Sequence, residues 1–221
     1  MRTEALKGET TVLEPTRAER AIARRNAETR ATVPDLELGT EVEIEPALAA
    51  AGASLTAVLV RACALALRDH PRANAAYRDG HYELYSRVNV AVTVMTDDGH
   101  ASPTLIDADT KPMADLSSEL AALTERARAG ELTGPDLAGA TFTLTDLGEW
   151  GLTRPGTLVT PPQAAALAAA GVRDVPVVRD GAVVPGRVLA LTLACDSRIL
   201  FGAHAAAFLA AVCGWLRTAA S

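Results

Sequence analysis

Apolar and polar residues alternate along the chain in patterns that predict both helices and strands. A half-buried strand is predicted over residues 36–45, LELGTEVEIE, where apolar side chains recur at nearly every second position. A buried helix is predicted over residues 54–70, SLTAVLVRACALALRDH, whose apolar residues cover most of the helical circumference. Residues 88–96, VNVAVTVMT, are apolar almost without interruption, which is typical of a strand inside a sheet.

Capping and turn residues indicate where other elements begin and end. Thr16 and Glu19 have the spacing of a capping box, which predicts a helix that starts there and ends before Pro34. The dipeptide Asp180-Gly181 predicts a tight turn between two strands. Because strands neighbour both helices and hairpins in this order, the elements predict an α/β fold with a mixed sheet.

Composition narrows the classes of function. The net charge is −6 and aromatic residues make up 4% of the chain, so the basic, aromatic-rich surface of a nucleic-acid-binding protein is not expected. No apolar run reaches the ~18 residues of a membrane span, and the N-terminus lacks the apolar core of a secretory signal. We therefore expect a soluble, cytoplasmic protein with an N-terminal arm over residues 1–15 and a single domain over residues 16–221.

Several stretches that are weak signals alone occur together in a specific order. They are RAIARRNAETRATVP at 20–34, ALALRDHPRANAAY at 64–77 with VNVAVTVMTDDG at 88–99, GATFTLTDLGEWG at 139–151, and PPQAAALAAAGVRDVPVVRDG at 161–181, which leads into LTLACDSRILFGAHAAAFL at 191–209. The ordered set resembles the catalytic domain of the dihydrolipoamide acyltransferases, the core subunits of 2-oxoacid dehydrogenase complexes, which share their fold with chloramphenicol acetyltransferase. The resemblance implies a two-layer α/β sandwich with a mixed sheet, assembled as a homotrimer with active sites at the subunit interfaces.

The same resemblance implies which residues carry the chemistry. In the family, a histidine in a D-H-R-x-x-D-G stretch deprotonates a thiol, and a serine or threonine in a T-F-T-x-S-N-L-G stretch of the adjoining subunit hydrogen-bonds the oxyanion. Here Thr145 stands at the oxyanion position and Asp146 replaces the asparagine after it, whereas Ser197 and Phe201 replace the histidine and the second aspartate. A serine hydroxyl cannot act unaided as a general base near pH 7, so we expect a rebuilt active site.

We predict His100 as a second catalytic residue beside Thr145. The residues predicted to line the substrate pocket are Asp146, Ser197, Phe201, Ser102 and Arg198. His100 lies in DDGHASP, residues 97–103, which we expect to be a turn or loop, and where the family has an apolar residue in a segment that lines the substrate channel. Two interpretations of His100 stay open: a solvated loop residue, or a relocated base or polar substrate contact flanked by Ser102. For Arg198 we favour an ion pair or turn cap with Asp196, and substrate contact is the alternative.

Three functions remain as alternatives. The first is a divergent, standalone acyltransferase of secondary metabolism that acylates a small molecule from a thioester of coenzyme A or a carrier protein, with no permanently bound cofactor. The second keeps the interface pocket for non-acyl chemistry, such as cyclisation or rearrangement of a polyketide-like intermediate. The third is a catalytically inactive trimeric binding protein. Because the family histidine is missing and the chain shows no lipoyl domain, we do not expect a working 2-oxoacid dehydrogenase core.

Overall fold

A computed structural model describes the protein over residues 8–45, 54–97 and 99–218, so residues 1–7 of the expected N-terminal arm lie outside the described residues. The helices are α1 (Arg17–Thr32), α2 (Leu55–Asp69), α3 (Met113–Arg128) and α4 (Gly202–Arg217). The strands are β1 (Asp35–Glu43), β2 (Ala75–Arg78), β3 (His81–Leu84), β4 (Val90–Thr96), β5 (Gly99–Ala101), β6 (Thr104–Leu105), β7 (Phe142–Asp146), β8 (Ala165–Ala169), β9 (Arg173–Arg179) and β10 (Ala182–Asp196). Short 3-10 helices lie at Pro71–Ala73, Pro135–Leu137 and Gly148–Trp150.

An eight-stranded mixed sheet organises the fold. Its strand order is β1–β10–β8–β7–β4–β5, with β6 also paired to β4 and β9 also paired to β10. The pairs β4–β7 and β7–β8 are parallel, whereas β10 pairs antiparallel with β1, β8 and β9. Strands β2 and β3 form a separate hairpin. The predicted α/β fold with a mixed sheet is confirmed.

Helices α2, α3 and α4 cover one face of the sheet, and the main apolar core lies beneath them. Phe142 of β7 and Phe208 of α4 meet edge to face there, with ring centroids 5.7 Å apart. On the opposite face, the end of α1 and the segment before β8 form a smaller apolar cluster of Val33, Val159 and Ala194. The core strand β8, with the sequence AALAA, is buried along its whole length, and its small side chains leave room for close packing.

Local signals in the sequence account for the ends of several elements. Thr16 and Glu19 form the predicted capping box at the start of α1, and the Ser54 side chain caps α2. Asp180 and Gly181 turn the chain between β9 and β10 with positive φ angles of 51° and 79°. These angles are typical of the two-residue turns that join the strands of a β-hairpin.

The expectation of a turn or loop throughout residues 97–103 is wrong. Gly99–Ala101 form β5, which pairs antiparallel with Val94–Thr96 of β4. The exposed edge of β4 offers unpaired backbone groups, and the short segment satisfies them. Gly99 has a φ of 119°, which a residue with a side chain rarely adopts, so glycine permits the chain to reverse there.

Candidate active site

Three hydroxyl side chains lie in a row across neighbouring strands β7 and β4 and the residue after β5. The parallel register places Thr145 of β7 beside Thr93 of β4, and their Oγ1 atoms are 3.0 Å apart. The Oγ of Ser102 lies 3.4 Å from the same Thr93 Oγ1. Thr145 and Ser102 were predicted as site residues, and the structure connects them through Thr93, which was not.

His100 shares this face of the sheet. It pairs with Met95, which lies two residues from Thr93 along β4, and alternate residues of a strand point to the same side. From strand spacing and rise, the Cα atoms of His100 and Thr145 are about 12 Å apart. Partial desolvation, and secondarily the positive charge of Arg25, lowers the pKa of His100 below its usual value. The imidazole is therefore mainly neutral near pH 7, the form that accepts a proton.

Asp146 joins two structural elements next to Thr145. One carboxylate oxygen accepts a hydrogen bond from the Thr56 hydroxyl at the start of α2, at 2.7 Å. The other accepts from the backbone N–H of Gly148, at 2.9 Å. A carboxylate accepts at both oxygens, whereas an amide has only one acceptor oxygen. Asp146 therefore fits this pair of donors and fixes the turn that follows Thr145.

A cavity of about 680 Å³ opens between α3 and the ends of β4 and β7. Its lining includes Thr93, Met95, Asp146, Arg128 and Trp150. The indole of Trp150 is 63% exposed at this cavity. The volume falls within the range of about 300–1,000 Å³ that is usual for small-molecule sites.

Ser197 has a structural hydrogen bond in the described structure. Its Oγ donates to the carbonyl oxygen of Pro34 at 2.7 Å, and its backbone N–H donates to the same oxygen at 3.0 Å. The contact joins the end of β10 to the chain between α1 and β1. The hydroxyl proton is directed at a backbone carbonyl oxygen, which accepts the hydrogen bond but does not take up the proton as a base, so in this structure the Ser197 side chain joins two segments.

The neighbouring Asp196 and Arg198 form the expected ion pair. Arg198 Nε lies 2.9 Å and Nη2 lies 2.6 Å from the carboxylate oxygens of Asp196, which is 3% exposed. The backbone N–H of Arg198 also donates to this carboxylate at 3.0 Å. The guanidinium lies over the ring of Tyr77, 4.6 Å from its centroid. These contacts support a structural role for Arg198.

Phe201 belongs to an exposed aromatic cluster with a cation at its centre. Its side chain is 45% exposed and meets His204 edge to face, with ring centroids 5.0 Å apart. The guanidinium carbon of Arg72 lies 5.8 Å from the centroid of Phe201 and 5.3 Å from that of Tyr82. The Tyr82 hydroxyl donates to the carbonyl oxygen of Arg198 at 3.0 Å, which fastens the β2–β3 hairpin to this turn. The sequence patterns did not indicate Arg72 and Tyr82, because only the tertiary fold brings them to Phe201.

Comparison with known families matches nearly the whole chain to one family. The family model for the catalytic domain of the 2-oxoacid dehydrogenases acyltransferases matches residues 7–220. The chain belongs to this family. The resemblance found in the sequence motifs is thereby confirmed.

Relatives and solved structures of this acyltransferase family agree with that assignment. The dihydrolipoyllysine-residue acetyltransferase component of the pyruvate dehydrogenase complex of Rickettsia bellii is 30% identical over 203 residues, which are 86% of this chain and 49% of the relative. The chain thus spans about half the length of that relative. A structure of Azotobacter vinelandii dihydrolipoamide acetyltransferase, solved to define the role of a serine, a histidine and an asparagine in catalysis, matches with a TM-score of 0.90 and 26% identity, covering 98% of this chain and 95% of that one. Chloramphenicol acetyltransferase shares the fold, with a TM-score of 0.61, 17% identity, and coverage of 94% of this chain and 99% of that one.

In this acyltransferase domain, the positions marked by the two family motifs lie at opposite ends of the sheet. Thr145 pairs with Ala168 of β8, while the N–H of Asp196 bonds the carbonyl oxygen of Ala164. Four residue steps of about 3.3 Å separate these points, or about 13 Å along the strands, and Ser197 lies one residue further. Thr145 and Ser197 of one chain therefore do not share a site. This separation is compatible with sites at subunit interfaces, as the family resemblance implies.

The cysteine thiols and the possible metal ligands of the acyltransferase domain offer no further reactive site among the described residues. All three cysteines are buried, and burial, with a smaller contribution from the Asp196 charge, raises the pKa of Cys195 to about 12. Within residues 8–45, 54–97 and 99–218, no group of three histidine, cysteine, aspartate or glutamate side chains is placed to hold a metal ion. Among the helices in these ranges, none combines the length and the apolar character needed to cross a membrane.

Proposed function

We propose that the protein is a divergent acyltransferase that transfers an acyl group from a thioester to a small molecule. The observation that carries this proposal is the contrast between the two halves of the family site. The hydroxyl of Thr145 remains in a hydrogen-bonded row, whereas residue 197 is a serine whose hydroxyl bonds Pro34. The oxyanion half is retained and the base half has become a structural contact.

The chemistry of the retained half is acyl transfer. Attack of an acceptor on the thioester carbonyl forms a C–O or C–N bond and a tetrahedral oxyanion, and collapse of this intermediate expels the thiolate. A hydrogen bond from Thr145 to the oxyanion is worth about 3 kcal/mol by comparison with other oxyanion donors. The thioester is carried by coenzyme A or by a carrier protein, and no cofactor is held permanently.

Because residue 197 is not a histidine, another group must take up the proton that the acceptor loses. His100 is a neutral imidazole on the same face of the sheet as Thr145, and an acceptor placed between them spans the distance of about 12 Å between their Cα atoms. In this proposal the protein is a homotrimer, as is characteristic of the family, and residues of a neighbouring subunit complete the pocket. Loss of a general base typically lowers the rate 10²–10⁴-fold, so transfer to dihydrolipoamide at the rate of a 2-oxoacid dehydrogenase core is not expected.

A second function is favoured by one specific observation. Phe201, Tyr82 and Arg72 form an exposed aromatic and cationic surface at the turn where the family has its histidine. Such a surface suits the positioning of an apolar or aromatic intermediate more than proton transfer. In this alternative the protein catalyses cyclisation or rearrangement, and Phe201→Ala abolishes turnover while coenzyme A does not bind.

The deciding experiment measures binding of coenzyme A and acetyl-coenzyme A by calorimetry, together with thiol release from acetyl-coenzyme A with water as the acyl acceptor, which yields acetate and the free thiol. We expect micromolar binding to the wild type and to Thr145→Ala, with thiol release at least 100-fold slower in the variant. Phe201→Ala serves as the comparison, and it should leave thiol release within threefold. Absence of binding at millimolar coenzyme A would refute the acyltransferase proposal in its coenzyme A form.

A further inference from the structure

We propose that Thr93 is a positioning residue that aligns the hydroxyl of Thr145 toward the oxyanion. This inference rests on the proposed acyl transfer and names a residue that lies outside the two catalytic motifs of the family. Thr93 is the one side chain in the described part of the chain that hydrogen-bonds Thr145, at 3.0 Å between Oγ1 atoms. It also contacts the Ser102 Oγ at 3.4 Å and lines the cavity beside Asp146.

The number of protons in the row determines what it can do. Each hydroxyl donates one hydrogen bond and accepts up to two. If Thr145 donates to Thr93, its only proton is directed away from the substrate. If Ser102 donates to Thr93 and Thr93 donates to Thr145, the proton of Thr145 is free for the substrate oxygen. The role of Thr93 is therefore to supply a donor that Thr145 accepts.

A developing negative charge selects the second arrangement. An oxyanion beside Thr145 favours hydroxyl dipoles that all point toward it, and successive hydrogen bonds in such a chain polarise one another. The backbone pairing of β4 with β7 holds Thr93 and Thr145 in register, so the row exists before substrate binds. Preorganised donors of this kind act without reorganising during the reaction.

A purely structural role makes a different prediction. Two threonines on neighbouring strands also stabilise a sheet by a cross-strand hydrogen bond, and removal of Thr93 then lowers stability without a specific change in catalysis. The variant Thr93→Val keeps the shape of the side chain and removes the hydroxyl. The variant Thr93→Ser keeps the hydroxyl and removes the methyl group.

The test uses the full chain with acetyl-coenzyme A labelled with ¹³C at the carbonyl. For Thr93→Val we expect kcat for thiol release to fall about tenfold with KM within twofold, and the infrared carbonyl band of bound acetyl-coenzyme A to move toward its position in Thr145→Ala. Thr93→Ser should restore kcat to within threefold of the wild type. Ser102→Ala, which removes the outer hydroxyl, should lower kcat by about threefold and gives a second measurement if Thr93→Val folds poorly.

The matched control is Thr192→Val, which removes a half-buried threonine hydroxyl from β10 at the position paired with Ala168. It should leave both kcat and the carbonyl band unchanged. The inference is overturned if Thr93→Val lowers only the melting temperature, or if its carbonyl band matches that of the wild type. If acetyl-coenzyme A fails to bind the wild type, the proposed acyl transfer is refuted in its coenzyme A form, and this outcome is distinct from an unshifted band.

Discussion

Replacement of Ser197 by alanine distinguishes a structural role of this serine from a catalytic role. The structure assigns its hydroxyl a single hydrogen bond, from Oγ to the carbonyl oxygen of Pro34 at 2.7 Å. The backbone N–H of the same residue also donates to that oxygen at 3.0 Å. Ser197→Ala therefore leaves the Pro34 carbonyl with a partner, and no buried acceptor is orphaned.

The expected magnitude follows from that one contact. A neutral intramolecular hydrogen bond contributes about 1 kcal/mol to the free energy of unfolding. For a domain of this size, 1 kcal/mol corresponds to a shift of about 2–4 °C in Tm. If Ser197 does not take part in proton transfer, thiol release from acetyl-coenzyme A should stay within twofold of the wild type.

The assay pairs thermal unfolding with thiol release, measured on the same preparations. Ser86→Ala, which removes an exposed serine with no side-chain hydrogen bond in the described structure, is the control for a neutral change. Thr145→Ala is the control for loss of catalysis. A 100-fold fall in thiol release by Ser197→Ala, with Tm unchanged, would show that Ser197 acts chemically and that the reasoning from its Pro34 contact is wrong.

Three further outcomes are expected. Burial, and secondarily the positive charge of Arg25, lowers the pKa of His100, so Arg25→Gln should raise this pKa and move the midpoint of an NMR titration of the imidazole to higher pH. Thiol release should decline as pH falls through the same midpoint, and an unmoved midpoint would contradict the effect of the Arg25 charge. Asp146→Asn should lower the free energy of unfolding by about 1 kcal/mol in a denaturant titration, because the amide oxygen still accepts from Gly148 while the charge-assisted bond from Thr56 is replaced by a neutral one that the amide donates. All three cysteines are buried, and burial raises the pKa of Cys195 to about 12, so the native protein should not react with a thiol reagent at pH 8, whereas the unfolded chain should react fully.

Local patterns were sufficient where a short segment determines its own structure. The capping box at Thr16 and the turn at Asp180 and Gly181 each depend on residues that are close in sequence, and both occur as predicted. The strand β5 was missed because its residues favour turns, and only the adjacent edge of β4 supplies the pairing that makes it a strand. His100 therefore lies in an edge strand of the sheet and not in the expected loop.

The arrangement of the candidate site could not be predicted from the sequence, because it depends on contacts between residues that are far apart along the chain. Thr93 is one polar residue in a run of valines, and its importance appears only when the parallel register sets it beside Thr145, 52 positions away. The contact of Ser197 with Pro34 joins residues that are 163 positions apart. Motif comparison located Thr145 and the serine at residue 197, but it could not show which contacts these two side chains make.

The exposed indole at the cavity has a practical consequence for spectroscopy. The chain contains two tryptophans: Trp150 stands at the cavity with 63% of its surface exposed, and Trp215 packs against the core. Replacement of Trp215 by phenylalanine thus leaves Trp150 as the single tryptophan, in the lining of the cavity proposed to take a ligand. Its emission should shift to shorter wavelength as solvent is displaced, so the protein carries an intrinsic optical reporter with which candidate substrates can be screened without a label.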